Sequence, residues 1–208
     1  MKLKKIASLM LAGIMAVSML AGCKTATEPN EPTNPVTPVT GVAATVNGEL
    51  DKNAKKIQFT DDAVLTGVLT NYYTENNITA DTWSAGHSTL VAVGNDDLLA
   101  AVRDVLGMKT NDAIDKVSDE TTSNKTYCNL YWVNNDFVTK EDALRMVGQM
   151  VDGLTLPAEG GVDASSNKPA THDYSYAGSV AAIEAKSEGG TESVWVIAVV
   201  IDQTASKK

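Results

Sequence analysis

Residues Val194 to Ile201 read VWVIAVVI, eight consecutive apolar residues of which most are β-branched. A run of this length and composition is typical of a β-strand that is covered on both faces. The segments 174–186 and 191–203 flank Glu188-Gly189-Gly190, so the chain is predicted to end in a β-hairpin. The edge of a sheet would not suit this strand, because exposed apolar edges promote aggregation.

Two further strands are predicted upstream of the hairpin. Ser88 to Gly94 (STLVAVG) and Thr126 to Val133 (TYCNLYWV) are rich in β-branched or aromatic residues. In the second of these, Cys128, Leu130 and Trp132 would point to one face of an ideal strand. Because that face is apolar, we expect the Cys128 thiol to be buried and unreactive.

Three helices are predicted from apolar spacing and from their start and stop signals. The first spans 60–75 and begins with Asp61 and Asp62, acids that suit the positive end of a helix. The second follows Asn95, and its apolar stripe ends near Gly107. The third starts at a capping box formed by Thr139 and Asp142. Its apolar residues share one face: Leu144, Val147, Met150, Val151 and Leu154.

Two shorter elements complete the prediction. Asn47-Gly48 is a turn dipeptide between apolar residues and predicts a small hairpin over 42–50. A short helix is predicted over 110–118. Together the elements predict a single α+β domain over 41–208. Its sheet would be mixed or antiparallel, with four to five strands packed by about three helices and ending in a β-hairpin.

The segment ahead of this domain has the composition of a linker. Residues 24–40 (KTATEPNEPTNPVTPVT) carry a proline at every third position from 29 to 38, which is the period of a polyproline II helix. Seventeen such residues would reach roughly 50 Å at about 3.1 Å per residue. We therefore predict an extended Pro/Thr-rich linker over 23–40. A disordered spacer and a proline-rich docking site are the alternatives.

The N-terminal 23 residues have a distinct order of basic, apolar and small residues. Three lysines at 2, 4 and 5 precede an apolar run from Ile6 to Leu20, which leads into Leu20-Ala21-Gly22-Cys23. This order resembles a bacterial lipoprotein signal peptide with its lipobox. The resemblance implies that residues 1–22 are cleaved and that a diacylglycerol is attached to the sulfur of Cys23. The protein would then be lipid-anchored at the extracytoplasmic face of the cell membrane.

A retained transmembrane helix is the alternative interpretation of the same residues. The apolar run is about 15 residues long, whereas spanning the hydrocarbon core takes roughly 20, so a cleaved signal fits better. The two chains of a diacylglyceryl group would hold the protein firmly on the membrane. Lipid on Cys23 is therefore the predicted membrane contact.

The charge of the chain argues against nucleic acid as a partner. The formal net charge is −9, and it falls to −12 when the three lysines of residues 1–22 are removed, because no acid leaves with them. Such a chain is repelled by phosphates unless it has a local basic patch. The nearest approach to one is Lys52, Lys55 and Lys56, which acids flank.

Common catalytic signatures are missing from the sequence. There is no G-x-S-x-G, no H-E-x-x-H, no P-loop and no G-x-G-x-x-G, and we expect neither a metal site nor a cofactor. His87 and His172 are the two histidines that could act as bases, and His172 adjoins Asp173. Asp163 could complete a Ser-His-Asp arrangement with a nearby serine. Surface histidines in polar loops are the simpler interpretation.

Two weak candidates for ligand binding remain. Trp83 lies in the polar stretch TADTWSAGH, where an exposed indole could stack on a sugar. Asp163 lies in the long apparent loop 157–171, which is rich in oxygen ligands and glycine but lacks an ordered calcium-binding spacing.

Three functions are compatible with these residues. The first is a surface-anchored lipoprotein whose domain binds a ligand or partner without catalysis. The second is a small extracellular hydrolase that acts on wall or peptide substrates through His87 or His172. The third is a structural subunit of an envelope complex. The missing motifs favour the first over the second, although catalysis stays open. The sequence does not separate the first from the third, and the ligand or partner is unknown.

Overall fold

A computed structural model describes residues 36–51, 54–76, 87–93, 97–110, 112–117, 122–156, 172–186 and 192–208. Within these ranges the strands are β1 (Val36–Val39), β2 (Phe59–Asp61), β3 (Val91–Ala92), β4 (Lys125–Asn134), β5 (His172–Lys186) and β6 (Ser193–Lys207). The α-helices are α1 (Val42–Gly48), α2 (Ala63–Glu75), α3 (Asp97–Val105) and α4 (Lys140–Asp152). Single 3₁₀ turns lie at Ala54–Lys56 and Ile114–Lys116.

The sheet is built on the long pair β5 and β6, which are antiparallel from His172 opposite Lys207 to Lys186 opposite Ser193. Strand β4 lies on the other side of β6, and β3 lies outside β4. Strands β1 and β2 share the outer edge of β5, where β1 is antiparallel and β2 is parallel. The predicted α+β domain with a mixed sheet is confirmed. The described sheet has six strands rather than four or five, and four helices pack on it.

Both faces of β6 are buried over residues 196–201, as its apolar run predicted. Ile197, Val199 and Ile201 belong to one hydrophobic cluster, together with residues of α1 and α4. Val196 and Val200 belong to a second cluster, together with residues of α2 and α3. The domain is therefore a three-layer sandwich in which the sheet lies between two pairs of helices. Burial on both faces explains why alternating polar residues are absent from this stretch.

Local capping signals position three of the helices. The Asp62 carboxylate accepts hydrogen bonds from the backbone N–H groups of Val64 and Leu65, at 2.8 and 3.0 Å, and thereby starts α2. Thr139 caps α4, as predicted. Gly107 follows α3 with a φ of 65°, a backbone conformation that glycine adopts without strain. Asn95, the predicted cap of α3, lies outside the described residues.

The hairpin predicted over 42–50 is wrong, because Val42–Gly48 forms helix α1. Its apolar residues Val42, Ala43 and Val46 recur at helical spacing and are buried. The Asn47 side chain donates to the Phe59 carbonyl and accepts from the Phe59 N–H, both at 2.9 Å. Asn47 therefore pairs with the outer edge of β2 instead of turning a hairpin.

The pairing of Asn47 with β2 leads to a prediction for stability. We expect Asn47→Ala to lower the free energy of unfolding by about 2 kcal/mol, because it leaves a backbone donor and acceptor without partners. Urea unfolding followed by circular dichroism measures the change. Asn76→Ala is the matched control, since its side chain makes one exposed bond within a helix end. Equal losses in the two variants would contradict a special role for Asn47.

Further predicted boundaries differ from the structure. The helix predicted over 60–75 begins at Ala63, because Thr60 and Asp61 pair with β5 as part of β2. Val36–Val39, at the end of the predicted linker, forms β1, so the folded part of the chain includes residues ahead of 41. Pro38 is accommodated because β1 is an edge strand, where no outer neighbour needs its missing N–H. The strand predicted over 88–94 is reduced to Val91–Ala92, and the helix predicted over 110–118 to a single 3₁₀ turn. Residues 23–35 lie outside the described ranges.

The described helices are all short. None of them combines the length and the apolar content that crossing a membrane requires.

Candidate functional site

Three of the residues singled out from the sequence cannot be placed. Cys23, Trp83 and Asp163 lie outside the described residues, as does the whole loop region 157–171 that surrounds Asp163.

The two histidines lie far apart in the fold. The exposed His87 ring contacts the Trp132 ring edge-on, with 5.0 Å between the ring centroids. Trp132 lies opposite Val196, which in turn lies opposite Ile183 on β5. His172 begins β5 eleven residues before Ile183, about 36 Å of strand at roughly 3.3 Å per residue. The structure therefore does not bring His87 and His172 into one site.

His172 and Asp173 also do not form a dyad with each other. They are neighbours on β5, and successive side chains of a strand point to opposite faces. The Asp173 carboxylate instead lies 3.3 Å from the Lys208 ammonium. Asp173 is thus engaged in an exposed ion pair rather than in orienting the imidazole of His172.

Cys128 lies in the core, as its strand pattern predicted. Its side chain is fully buried in the cluster under α2 and α3, and this burial raises the pKa of the thiol to about 12. At neutral pH the thiol therefore stays protonated, which removes the nucleophilic thiolate form.

A polar cleft lies where the chain leaves α3 and where β4 begins. Its volume is about 220 Å³. The residues that follow α3 form one side of the cleft. Asn124 and the first two residues of β4 form the other side. The lining residues are Leu106, Gly107, Met108, Lys109, Thr110, Asp112, Asn124, Lys125 and Thr126. We refer to this site as the Asp112–Lys125 cleft.

Asp112 and Lys125 form an ion pair across the cleft. The Lys125 Nζ donates to Asp112 Oδ1 at 2.9 Å, and the Thr110 hydroxyl donates to Asp112 Oδ2. The hydrogen bonds from Thr110 and Lys125 lower the pKa of Asp112, and the hydrogen bond to Asp112 raises the pKa of Lys125. Both groups therefore carry full charge across the neutral pH range.

Positive charge exceeds negative charge in this cleft. Lys109 and Lys125 both line it, whereas Asp112 is its one acidic lining residue. The charge of Arg103, at the end of α3, also acts on Asp112 and lowers its pKa. The Lys125 ammonium further lies 5.5 Å from the centroid of the Tyr127 ring, within the range of a cation–π contact. The Asp202 carboxylate lies just outside the lining, where it accepts from Thr126, so the lining itself carries one net positive charge.

Backbone and side-chain bonds hold the walls of the cleft in place. The Asp112 carbonyl accepts from the Cys128 N–H at 2.9 Å, which ties this wall to the edge of β4. On the other side, Asn124 accepts from the Ala205 N–H at 3.2 Å, and Thr126 donates to Asp202 at 2.5 Å. These bonds fix the lining to β4 and β6, so the cleft is largely formed before any ligand arrives.

A second polar cluster lies at the opposite end of the sheet. Asn135 donates to Glu184 at 3.0 Å and to Ser193 at 2.7 Å, and Ser193 donates to Glu184 at 2.9 Å. The three side chains satisfy one another and join the turn after β4 to the hairpin. The nearby Phe137 is 61% exposed. The mutual bonds give this cluster a structural role.

Sequence reasoning did not single out Asp112 or Lys125. They lie thirteen positions apart in the sequence, and none of the motifs considered above includes them. The Gly107 helix stop was the available signal, because it marks where the chain turns back from α3 toward β4. No group of three or more His, Cys, Asp or Glu side chains placed to hold a metal ion occurs in the described part of the chain.

Comparisons of this chain with protein-family models, with curated proteins and with solved structures find no match. The site must therefore be interpreted from its own geometry.

Proposed function

We propose that this chain is a membrane-anchored bacterial surface lipoprotein whose extracytoplasmic domain acts by binding a ligand or partner. The observation that carries the proposal is the N-terminal sequence, in which basic residues, an apolar run and Leu20-Ala21-Gly22-Cys23 follow one another. Lipid on Cys23 would supply two acyl chains, enough for stable membrane attachment.

The spacing between Cys23 and the fold supports a tethered domain. Twelve residues, 24–35, separate the proposed lipid site from Val36, where β1 begins. In an extended polyproline II conformation they would reach about 37 Å at roughly 3.1 Å per residue. A tether of that length would hold the domain clear of the lipid headgroups.

The position of the cleft relative to the tether supports binding from the outside. Val36 lies opposite Ala185, Ala185 opposite Val194, and Val194 opposite Asn134, so the chain enters the sheet at the end where β4 finishes. Lys125 lies at the other end of β4, nine residues away, or about 30 Å of strand. A membrane attached at the first end would leave the Asp112–Lys125 cleft accessible.

Metabolic labelling tests the anchor. The chain is expressed in a bacterium with lipoprotein-processing enzymes, in the presence of an alkyne analogue of palmitate, and partitioned between detergent and aqueous phases. We expect the unaltered chain to be labelled and to enter the detergent phase. Cys23→Ser should lose the label completely, because the serine oxygen does not replace the thioether sulfur.

Cys128→Ser is the matched control, since it removes the second cysteine of the chain and leaves the proposed lipid site intact. It should keep the label. Label that persists in Cys23→Ser would rule out the proposed anchor. Its loss in both variants would point to a general defect in folding or export.

A further inference from the structure

We infer that the Asp112–Lys125 cleft binds a small carboxylate, with the ligand's anionic group seated on Lys125 and Lys109. This inference rests on the proposed function in that it names the ligand class for the binding domain. It can fail while the lipid anchor stands, because the cleft is tested in solution.

The ion pair at the cleft leaves the Lys125 ammonium with hydrogen-bond donors that Asp112 does not use. Both carboxylate oxygens of Asp112 already accept a hydrogen bond, one from Thr110 and one from Lys125. An ammonium group has three N–H donors, and Asp112 takes one of those on Lys125 among the described residues. Lys125 therefore offers donors to a further acceptor, and its side chain is 40% exposed to reach one.

The net positive charge of the cleft lining favours a ligand whose acceptor group is anionic over one whose acceptor is neutral. Asp112 offsets one of the two lysines in the lining, so the second positive charge has no partner within the cleft lining. A carboxylate would complete the balance and would make charge-assisted hydrogen bonds, which are stronger than those of a neutral carbonyl or hydroxyl. A cationic ligand would face two ammonium groups.

Asp112 also prepares Lys125 for such a ligand. The hydrogen bond to Asp112 and the contact with the Tyr127 ring hold the long side chain in one orientation. Less side-chain entropy is then lost when a ligand binds. Lys125 and Lys109 are the residues that contact the ligand.

The volume of the cleft and its apolar residues restrict the size and polarity of the part of the ligand that lies beyond the carboxylate. A volume of about 220 Å³ lies below the roughly 300–1,000 Å³ of pockets that hold drug-sized molecules. Leu106 and Met108 provide a small apolar surface on one side. A short acyl or peptide-like group, or a single acidic sugar, fits these limits.

Titrations followed by ¹H–¹⁵N correlation spectra test the inference on the full chain, purified in detergent. The probes are N-acetylglycine and glucuronate, and their neutral counterparts are N-acetylglycinamide and glucose. We expect at least one of the two carboxylates to give saturable shifts confined to the amides of the cleft lining. The neutral counterparts should give none. The two carboxylates distinguish a peptide-like source of the anion from a sugar acid.

Variants assign the binding to the proposed residues. Lys125→Met should weaken carboxylate binding about tenfold to a hundredfold, the effect of losing a hydrogen bond to a charged group. Lys116→Met is the matched control, because Lys116 is an exposed lysine paired with Asp115 away from the cleft lining. It should bind as the unaltered chain does. Lys109→Met, an exposed position, provides a second test should Lys125→Met fold poorly.

Three outcomes would overturn the inference. These are the absence of saturable shifts with both carboxylates, equal shifts with the neutral counterparts, and carboxylate binding that survives both Lys125→Met and Lys109→Met. None of them bears on Cys23, so failure of the cleft and failure of the lipid anchor remain distinguishable.

Discussion

Ile197→Ala and Ile183→Ala are each expected to lower the free energy of unfolding by about 2–5 kcal/mol. Both side chains are fully buried, but they lie on opposite faces of the sheet. Ile197 packs in the cluster under α1 and α4, and Ile183 packs in the cluster under α2 and α3. Each truncation removes buried apolar surface and leaves a cavity that the surrounding layer fills only in part.

The pair tests the three-layer architecture as well as the core. Val64→Ala is the matched control, because Val64 lies on α2 with 44% of its surface exposed and should change stability by no more than about 0.5 kcal/mol. Urea unfolding midpoints of the three variants give the comparison. A large loss for one isoleucine and none for the other would mean that one face of the sheet is not covered by helices in solution.

The elements that sequence reasoning placed correctly are those whose signals are local. Strand β6 was predicted because its apolar run is continuous, and α4 was predicted because Thr139 and its apolar stripe lie within one segment. Helix α2 likewise begins at the carboxylate of Asp62. In each case the residues that decide the conformation are neighbours along the chain.

The elements that sequence reasoning missed depend on distant partners. Asn47-Gly48 has the composition of a hairpin turn, but the groups that fix Asn47 belong to Phe59, twelve residues later. The valines of Val36–Val39 lie in a proline-rich segment and pair with β5, which lies more than 140 residues away. Pairing with distant residues determines the conformation of both segments, and no local sequence pattern predicts that pairing.

The candidate cleft could not be predicted for a similar reason. Asp112 and Lys125 meet because Gly107 ends α3 and because the Asp112 carbonyl pairs with the edge of β4. In the sequence, Asp112 and Lys125 lie thirteen positions apart. Neither a helix nor a strand would bring side chains at that spacing together. The histidines, which the sequence analysis named as candidates, are separated by most of the length of β5.

Gly148→Ala is expected to destabilise the protein by about 1–3 kcal/mol, although it places a better helix former in the middle of α4. A Cβ atom at Gly148 would lie 2.6 Å from the Glu49 Cβ and 2.8 Å from the Val46 carbonyl oxygen. The backbone of α1 cannot move aside without disturbing Val46, which is fully buried in the core. The close approach of α1 and α4 therefore requires glycine at this position.

Gly67→Ala separates this packing effect from helix propensity. Gly67 lies within α2, and nothing lies within 4 Å of the position that its Cβ would occupy. There the substitution should stabilise the protein by about 0.5–1 kcal/mol, because alanine loses less conformational entropy than glycine. Urea unfolding of both variants should thus give changes of opposite sign. A gain at both positions would show that α1 does not pack closely on α4.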